Sequence, residues 1–305
     1  MLTVASLSPS ELQQRLEEPG LYLRTGAFVS RIRSRIPQVA ENIALLYADN
    51  PLQEAGGFAD FHVRLRPSRG LRRWHKPQVE FDVDGLVPFE PLPLSNAFPM
   101  LEWALNWCIS TRAHAYLIVH AAVIEKEGRA AILPAPPGSG KSTLCAALVN
   151  RGWRLLSDEL ALLRPSDSLL VPVARPVSLK NRSIDVIRDF APGAVLSRPV
   201  GDTAKGTVAH LKAPPDSVAR AAQPARAAWV VFPQYEAGAA TALEPVSRAR
   251  TFMRVAENAF NYSHLGAAGF QALAGAIDDC AGYEFRYSEL DEAIAAFDAL
   301  EPPTP

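Results

Sequence analysis

The chain has 305 residues, 48% of them hydrophobic and 21% charged, with 31 Lys+Arg against 32 Asp+Glu. An apolar share near one half belongs to a folded chain and excludes wholesale disorder, and at roughly 150 residues per domain the length corresponds to about two domains. A formal net charge of -1 supplies no global field for a polyanion, so neither nucleic acid nor an anionic membrane is an expected partner.

The N-terminus lacks a basic start followed by an apolar run, and every apolar stretch is broken by charge well before ~18 residues. A cytoplasmic protein with no membrane span is the expectation. Cys108, Cys145 and Cys280 are too far apart for a CxxC metal pair, and their odd number argues against a disulfide framework. Six lysines stand against 25 arginines, so each surviving lysine is conspicuous.

In chain order, residues 1–98 read as a small α+β module. It has a helix at 9–17, an extended stretch at 21–34, a helix over 36–49, and two strands in FADFHVRLRP and QVEFDVDG, whose apolar residues alternate as on a half-buried sheet. Pro88, Pro91, Pro93 and Pro99 then discourage both helix and sheet, which sets a domain boundary between 98 and 99. The helix PMLEWALNWCIST follows, with Leu101, Leu105 and Cys108 on one face and Trp103 and Trp107 one turn apart, a packing pattern. From 115 the pattern becomes repeated strand and helix: two strands turning at Glu127-Gly128, a glycine-bearing loop, a helix closed by Gly152, strands in WRLLSDELALLRP, LLVPVARPVSLK and AWVVFPQYE, helices over 244–260 and 264–280, a strand EFRYS and a last helix ELDEAIAAFDAL. Residues 213–228, rich in Ala, Arg and Pro, read as a loop.

The strongest motif is APPGSGKST at 135–143, between the apolar strand RAAILP and a helix-forming run. It fits the phosphate-loop pattern with Ala135 in place of the first glycine. In the loop Pro136-Pro137-Gly138-Ser139-Gly140 the small residues after the two prolines let their backbone N–H groups and the helix start converge on a phosphate. Lys141 then reaches the β- and γ-phosphates, Ser142 is placed as a Mg²⁺ ligand, and Thr143 follows in the first turn. A second magnesium anchor is expected at the end of a neighbouring strand, where LLSDEL supplies Asp158 and Glu159.

The unit from YLIVHAAV to LLSDELALL resembles the catalytic core of HPr kinase/phosphorylase, a phosphate-loop kinase with a phosphoenolpyruvate-carboxykinase-like mixed sheet. The matching places are His120, the loop 135–143, Arg151-Gly152-Trp153-Arg154-Leu155 and Asp158-Glu159. The whole chain looks like the diverged HprK-related kinase A group, on Leu101-Glu102-Trp103, Asn106-Trp107 and the element Lys205 to Leu211. The resemblance implies an α/β phosphate-loop kinase domain over 99–305 that uses ATP and Mg²⁺ to phosphorylate a serine-type hydroxyl. It puts Glu159 in the place of the general base, Asp158 and Ser142 on the metal, and His120 beside the acidic pair. The parent family's downstream metal-binding Glu and Arg-Gly pair are reduced here to Ile184-Asp185-Val186, which argues against the reverse, phosphorylase reaction.

Lys180, Lys205 and Lys212 cluster beyond the acids, and a compact ammonium at Lys180 or Lys205 suits a transferring phosphoryl oxygen. Asn181, Arg182, Gly206, Thr207 and His210 accompany them. The basic run at 66–76, with Arg66, Arg69, Arg72, Arg73 and Lys76 around Trp74, reads as a solvated hairpin turn, an acidic-peptide site being the other reading. Asn261, Tyr262 and His264 suggest no chemistry. Three functions follow: a kinase of a seryl or related hydroxyl on a peptide, a small protein or an amino acid, a nucleotide-occupied regulator that hydrolyses ATP slowly or not at all, and a free-serine kinase using pyrophosphate or ADP. Through the resemblance, a PqqD-like recognition protein is an expected partner of the first. A homo-oligomer is left open.

Overall fold

The computed structural model describes residues 2–68 and 75–303. Most of the basic run read as a hairpin turn, Arg69 to Trp74, lies outside the described residues. The N-terminal layer opens on helix α1 (Pro9–Glu17), fixed by reciprocal capping: the Ser8 hydroxyl accepts from the Glu11 N–H, and the Glu11 carboxylate accepts from the Ser8 N–H at 2.8 Å. Strands β1 (Leu21–Thr25) and β2 (Phe28–Ser34) form a hairpin, and helix α2 (Pro37–Leu46) buries Val39, Ile43 and Leu46 at helical spacing. Strands β3 (Phe61–Pro67) and β4 (Gln78–Val83) bury every second residue, and β5 (Leu92–Pro93) closes a five-stranded sheet of order β1-β2-β3-β4-β5. The proline cluster is expected to discourage sheet. Pro93 is nonetheless in β5, an edge strand, where a missing N–H removes no ladder bond from a further neighbour.

Helix α3 (Ala97–Arg112) runs straight across the 98/99 boundary. Its Leu101, Leu105 and Cys108 are buried as expected, in a core that also holds Val39, Phe81, Ile118, Leu160, Leu162 and Val173. Residues from both sides of the expected boundary therefore share one apolar interior.

Beyond α3, strands β6 (Leu117–Lys126) and β7 (Arg129–Pro134) turn at Glu127-Gly128, both with left-handed φ as a tight hairpin needs. Helix α4 (Lys141–Val149), strands β8 (Arg154–Ser157), β9 (Leu160–Leu163), β10 (Leu170–Val171) and β11 (Val177–Lys180), and helix α5 (Arg182–Phe190) come next. Strands β12 (Val200–Thr203) and β13 (Gly206–Leu211) pair beside β11 in a small sheet of order β11-β13-β12. Helix α6 (Pro215–Ala219) and strand β14 (Arg226–Tyr235) occupy part of the segment read as a loop. Strand β15 (Ala242–Val246) takes the start of the expected helix at 244, because it pairs with a later strand, and the helix itself is α7 (Arg248–Glu257). Helices α8 (Tyr262–Leu265) and α9 (Ala267–Asp278) break at Gly266, and β16 (Ala281–Tyr287) and α10 (Leu290–Asp298) end the fold.

The large sheet runs β10-β9-β6-β7-β14-β16-β15, with β8 also on β6. Strands β7, β14 and β16 are mutually parallel and the remaining pairs antiparallel, so the protein is mixed α/β. Alternation along β6 sends Leu117, Val119, Ala121 and Val123 to the face covered by α7 and α9, and Ala122 and Ile124 to the face covered by α4, α10 and the small sheet. All three cysteines are buried and free. Among the described residues, no helix is long and apolar enough to cross a membrane.

Candidate functional site

Along the even-numbered face of β6, Ile118 belongs to the N-terminal core and Ala122 to the core under α4. His120 sits between them, at the seam. Strands β8 and β9 lie end to end on the same edge of β6, and a register shift near Val123 marks an extra residue in β8, a bulge of the kind that re-aims side chains. The bend after it carries Asp158 and Glu159 and is held by the Leu160 N–H donating to the Ser157 hydroxyl at 3.0 Å. The two acids diverge. Glu159 Oε2 lies 3.0 Å from His120 Nε2, whereas Asp158 turns inward, 4% exposed, where its Oδ2 accepts from the Ser178 N–H at 3.1 Å.

Across from them, β7 delivers the loop ending at Gly138-Ser139-Gly140, and α4 starts at Lys141 with no side chain capping its N-terminus. The N–H groups of its first turn are thus available to an anion, with the positive end of the helix dipole behind them. Pro136, Pro137 and Gly138 form an exposed rim, and no atom lies within 4 Å of where a Gly138 Cβ would be. Gly140 is the opposite case. Its φ is +88° and an added Cβ would stand 2.5 Å from the Tyr287 hydroxyl, which donates to the Gly140 carbonyl at 3.1 Å. The Ser139 carbonyl accepts from the Tyr235 N–H at 2.9 Å, so the loop is tied to both β14 and β16. Gly140→Ala is therefore expected to distort the loop and abolish nucleotide binding, measured by calorimetric titration with ATP, while leaving the circular dichroism spectrum of the fold in place.

The Lys141 side chain is buried and directs Nζ to 3.1 Å from His120 Nε2 and 4.0 Å from Glu159 Oε2. One imidazole nitrogen cannot donate to Glu159 and accept from Lys141 at once, so one of the two contacts is always weak. Lys180 Nζ lies 4.0 Å from Glu159 Oε1 on the other side. Burial alone would raise the pKa of Glu159, but the His120 hydrogen bond and the charges of Lys141 and Lys180 outweigh it and hold the carboxyl at about 2. Asp158 moves the other way. Burial and the neighbouring Glu159 charge raise it to about 6, against the opposing pull of Lys141, the Ser178 N–H and Ser142.

An acid whose folded pKa exceeds its unfolded value of about 3.9 loses stabilisation as pH rises from the unfolded to the folded pKa. Asp158 thus lowers stability across roughly pH 4–6. Asp158→Asn is expected to flatten the fall in urea midpoint over that interval in metal-free buffer, and an unchanged slope would contradict the assignment.

Lys205 stands nearby but makes no ion pair among the described residues. Its Nζ lies 5.2 Å above the Trp103 ring, and burial together with Lys180 depresses its pKa. Asn181 staples the two lysine-bearing turns: its Oδ1 accepts from the Thr207 N–H at 3.0 Å, and a Gly206 Cβ would strike that oxygen at 2.3 Å. Lys212 instead pairs with Asp49 at 2.7 Å, and Arg182 is exposed at the start of α5. Asn261 holds the start of β6, accepting from the Ile118 N–H and donating to the Tyr116 carbonyl, while His264 packs on His114.

Several neighbours of the site gave no signal of their own in the sequence. Ser178 reads as one polar residue in a strand, and Arg175 as one more arginine in an arginine-rich chain. Yet Arg175 is buried and donates to Glu102 Oε2 at 2.7 Å and Asn106 Oδ1 at 2.7 Å, and Tyr47 donates to Glu102 Oε1 at 2.6 Å. Glu102 and Asn106 come from the same LEW and NW elements that carry the two tryptophans. Of those, Trp103 turns toward the site and Trp107 packs edge-on to Phe89 in the N-terminal layer.

No group of three or more His, Cys, Asp and Glu among the described residues could hold a metal ion by itself. Magnesium usually takes only one or two protein oxygens beside phosphate and water. Asp158 Oδ1 is buried with no partner and Ser142 adjoins the same carboxylate, so these two residues fit a divalent cation brought in with a nucleotide. No family model and no curated protein matches this chain.

Proposed function

We propose that the protein is an ATP-dependent kinase of the HPr kinase-like type, transferring the γ-phosphoryl group to a serine-type hydroxyl. The observation that carries the reading is the convergence of His120, Lys141 and Lys180 within about 4 Å of Glu159, beside an uncapped helix N-terminus. Transfer of a phosphoryl group needs mainly positioning and charge stabilisation. In this reading the loop amides and the start of α4 take the phosphates, and Lys141 leaves His120 to meet them. Magnesium bound between Ser142 and Asp158 would offset charge on the phosphate oxygens.

Glu159 then loses one of its two flanking ammonium groups, and its carboxylate becomes more basic as the nucleotide arrives. Held at about 2 before that, it orients an acceptor hydroxyl better than it removes a proton in advance. His120 keeps the carboxylate in place through Nε2, and Lys180 lies on the far side, suited to the transferring group.

The test is incubation of the purified protein with Mg²⁺ and γ-labelled ATP in an extract of its native cells. A labelled acceptor supports the kinase reading. Binding of ATP with no labelled acceptor, together with slow release of phosphate, favours the nucleotide-occupied regulator.

A further inference from the structure

Between α3 and the small sheet lies a cavity of about 20 Å³, bounded on one side by Glu159. Besides Asp158 Oδ1, three buried polar atoms around it find no hydrogen-bond partner: Trp103 Nε1, Ser178 Oγ and His210 Nε2. Native proteins rarely leave such atoms unpaired, and here they are gathered around one opening. Ser178 and His210 are cross-strand partners in β11 and β13, so their side chains stand on the same face of the small sheet. His210 is 1% exposed and packs edge-on to Phe98 at 5.3 Å.

We propose that this cavity is a subsite for an uncharged amide of the phosphoacceptor, held by Trp103, Ser178 and His210 beside Glu159. The inference rests on the kinase reading for the word acceptor, and on the cavity for the chemistry. The Trp103 indole can only donate and therefore requires a carbonyl or similar acceptor, while Ser178 and a neutral His210 can accept. Burial lowers the His210 pKa to about 4, so the ring is neutral near pH 7. An amide presents a C=O and an N–H side by side and satisfies both needs at once.

Charged groups fit poorly. A carboxylate would face Asp158 and Glu159. An ammonium would leave the indole N–H unpaired and approach Lys205, already 5.2 Å from the Trp103 ring. The neighbouring Glu102 is already neutralised by Arg175 at 2.7 Å. About 20 Å³ is room for roughly one water-sized group, so only the polar edge of an amide enters and no larger side chain does.

The test follows the Trp103 indole N–H by NMR in indole-¹⁵N-labelled full-length protein, the resonance being assigned by its disappearance in Trp103→Phe. Three probes are titrated separately: N-acetyl-L-serine N-methylamide for a backbone amide, propionamide for a side-chain carboxamide, and zwitterionic L-serine. The expected result is a saturable shift with one or both amides and none with L-serine, the stronger amide identifying the source. Ser178→Ala leaves the backbone N–H to Asp158 intact and should weaken the amide by about tenfold. A shift with L-serine equal to that with the amides, or no shift with either amide, overturns the subsite. Because the readout is binding, its failure is distinct from a failure of phosphoryl transfer, which the labelling experiment reports.

Discussion

Glu159→Gln is expected to reduce phosphoryl transfer by about 10²- to 10⁴-fold while leaving ATP affinity close to that of the unsubstituted protein. The amide is isosteric and still accepts from His120, so the local geometry survives. What disappears is the negative charge that Lys141 and Lys180 flank at 4.0 Å and that an acceptor hydroxyl would meet. Initial rates of label transfer and calorimetric ATP binding separate the two effects. Lys141→Ala, by contrast, should lose both binding and transfer, because in the proposed reaction its ammonium is the group that meets the phosphates. Transfer at the normal rate in Glu159→Gln would remove Glu159 from the reaction.

The second large effect concerns stability. Arg175→Met is expected to destabilise the fold by about 3–5 kcal/mol, since it strands the carboxylate of Glu102 in a site 3% exposed. Tyr47 alone would remain to it, at 2.6 Å from Oε1. The double variant Glu102→Leu with Arg175→Met removes both charges and should recover most of that loss, because the pair's desolvation cost disappears with it. Urea denaturation followed by tryptophan fluorescence measures both. A single variant as stable as the parent would show that the pair contributes nothing.

The site was legible where chemistry and local spacing coincide. Gly138 to Ser142 need a particular order of small residues, a lysine and a hydroxyl, and Asp158-Glu159 follow one strand later, so the sequence placed both ends of the site. His120 came from the resemblance, and the structure sets it 3.0 Å from Glu159. Lys180 was singled out because lysine is scarce in this chain, and it lies 4.0 Å from the same carboxylate. Arg175 was lost for the converse reason, one arginine among 25. Ser178 and His210 are set side by side by a cross-strand register between segments some thirty residues apart, which no local pattern encodes.

The fold divides in the same way. Strands β3 and β4 alternate cleanly because one face is dry, and α1 announces itself by its capping box. The end of β15 from Glu244 reads as helix because ALEPV has no strand periodicity and is held by pairing with β16 alone. Strands β12 and β13 were hidden for a similar reason: the ladder to β11 defines them, and their residues are a mixture of glycine, charge and threonine.

The shared core around α3 bears on how the chain leaves the ribosome. Residues 1–96 carry a complete five-stranded sheet, yet their apolar interior is closed by Ile118, Leu160, Leu162 and Val173. A nascent chain therefore has to keep an unfinished hydrophobic layer in water while residues 97–173 emerge, an interval of roughly 4–15 seconds at about 5–20 residues per second. Over that interval the first half of this protein exposes apolar surface of the kind chaperones bind, and the arrival of Val173, just beyond β10, completes the layer.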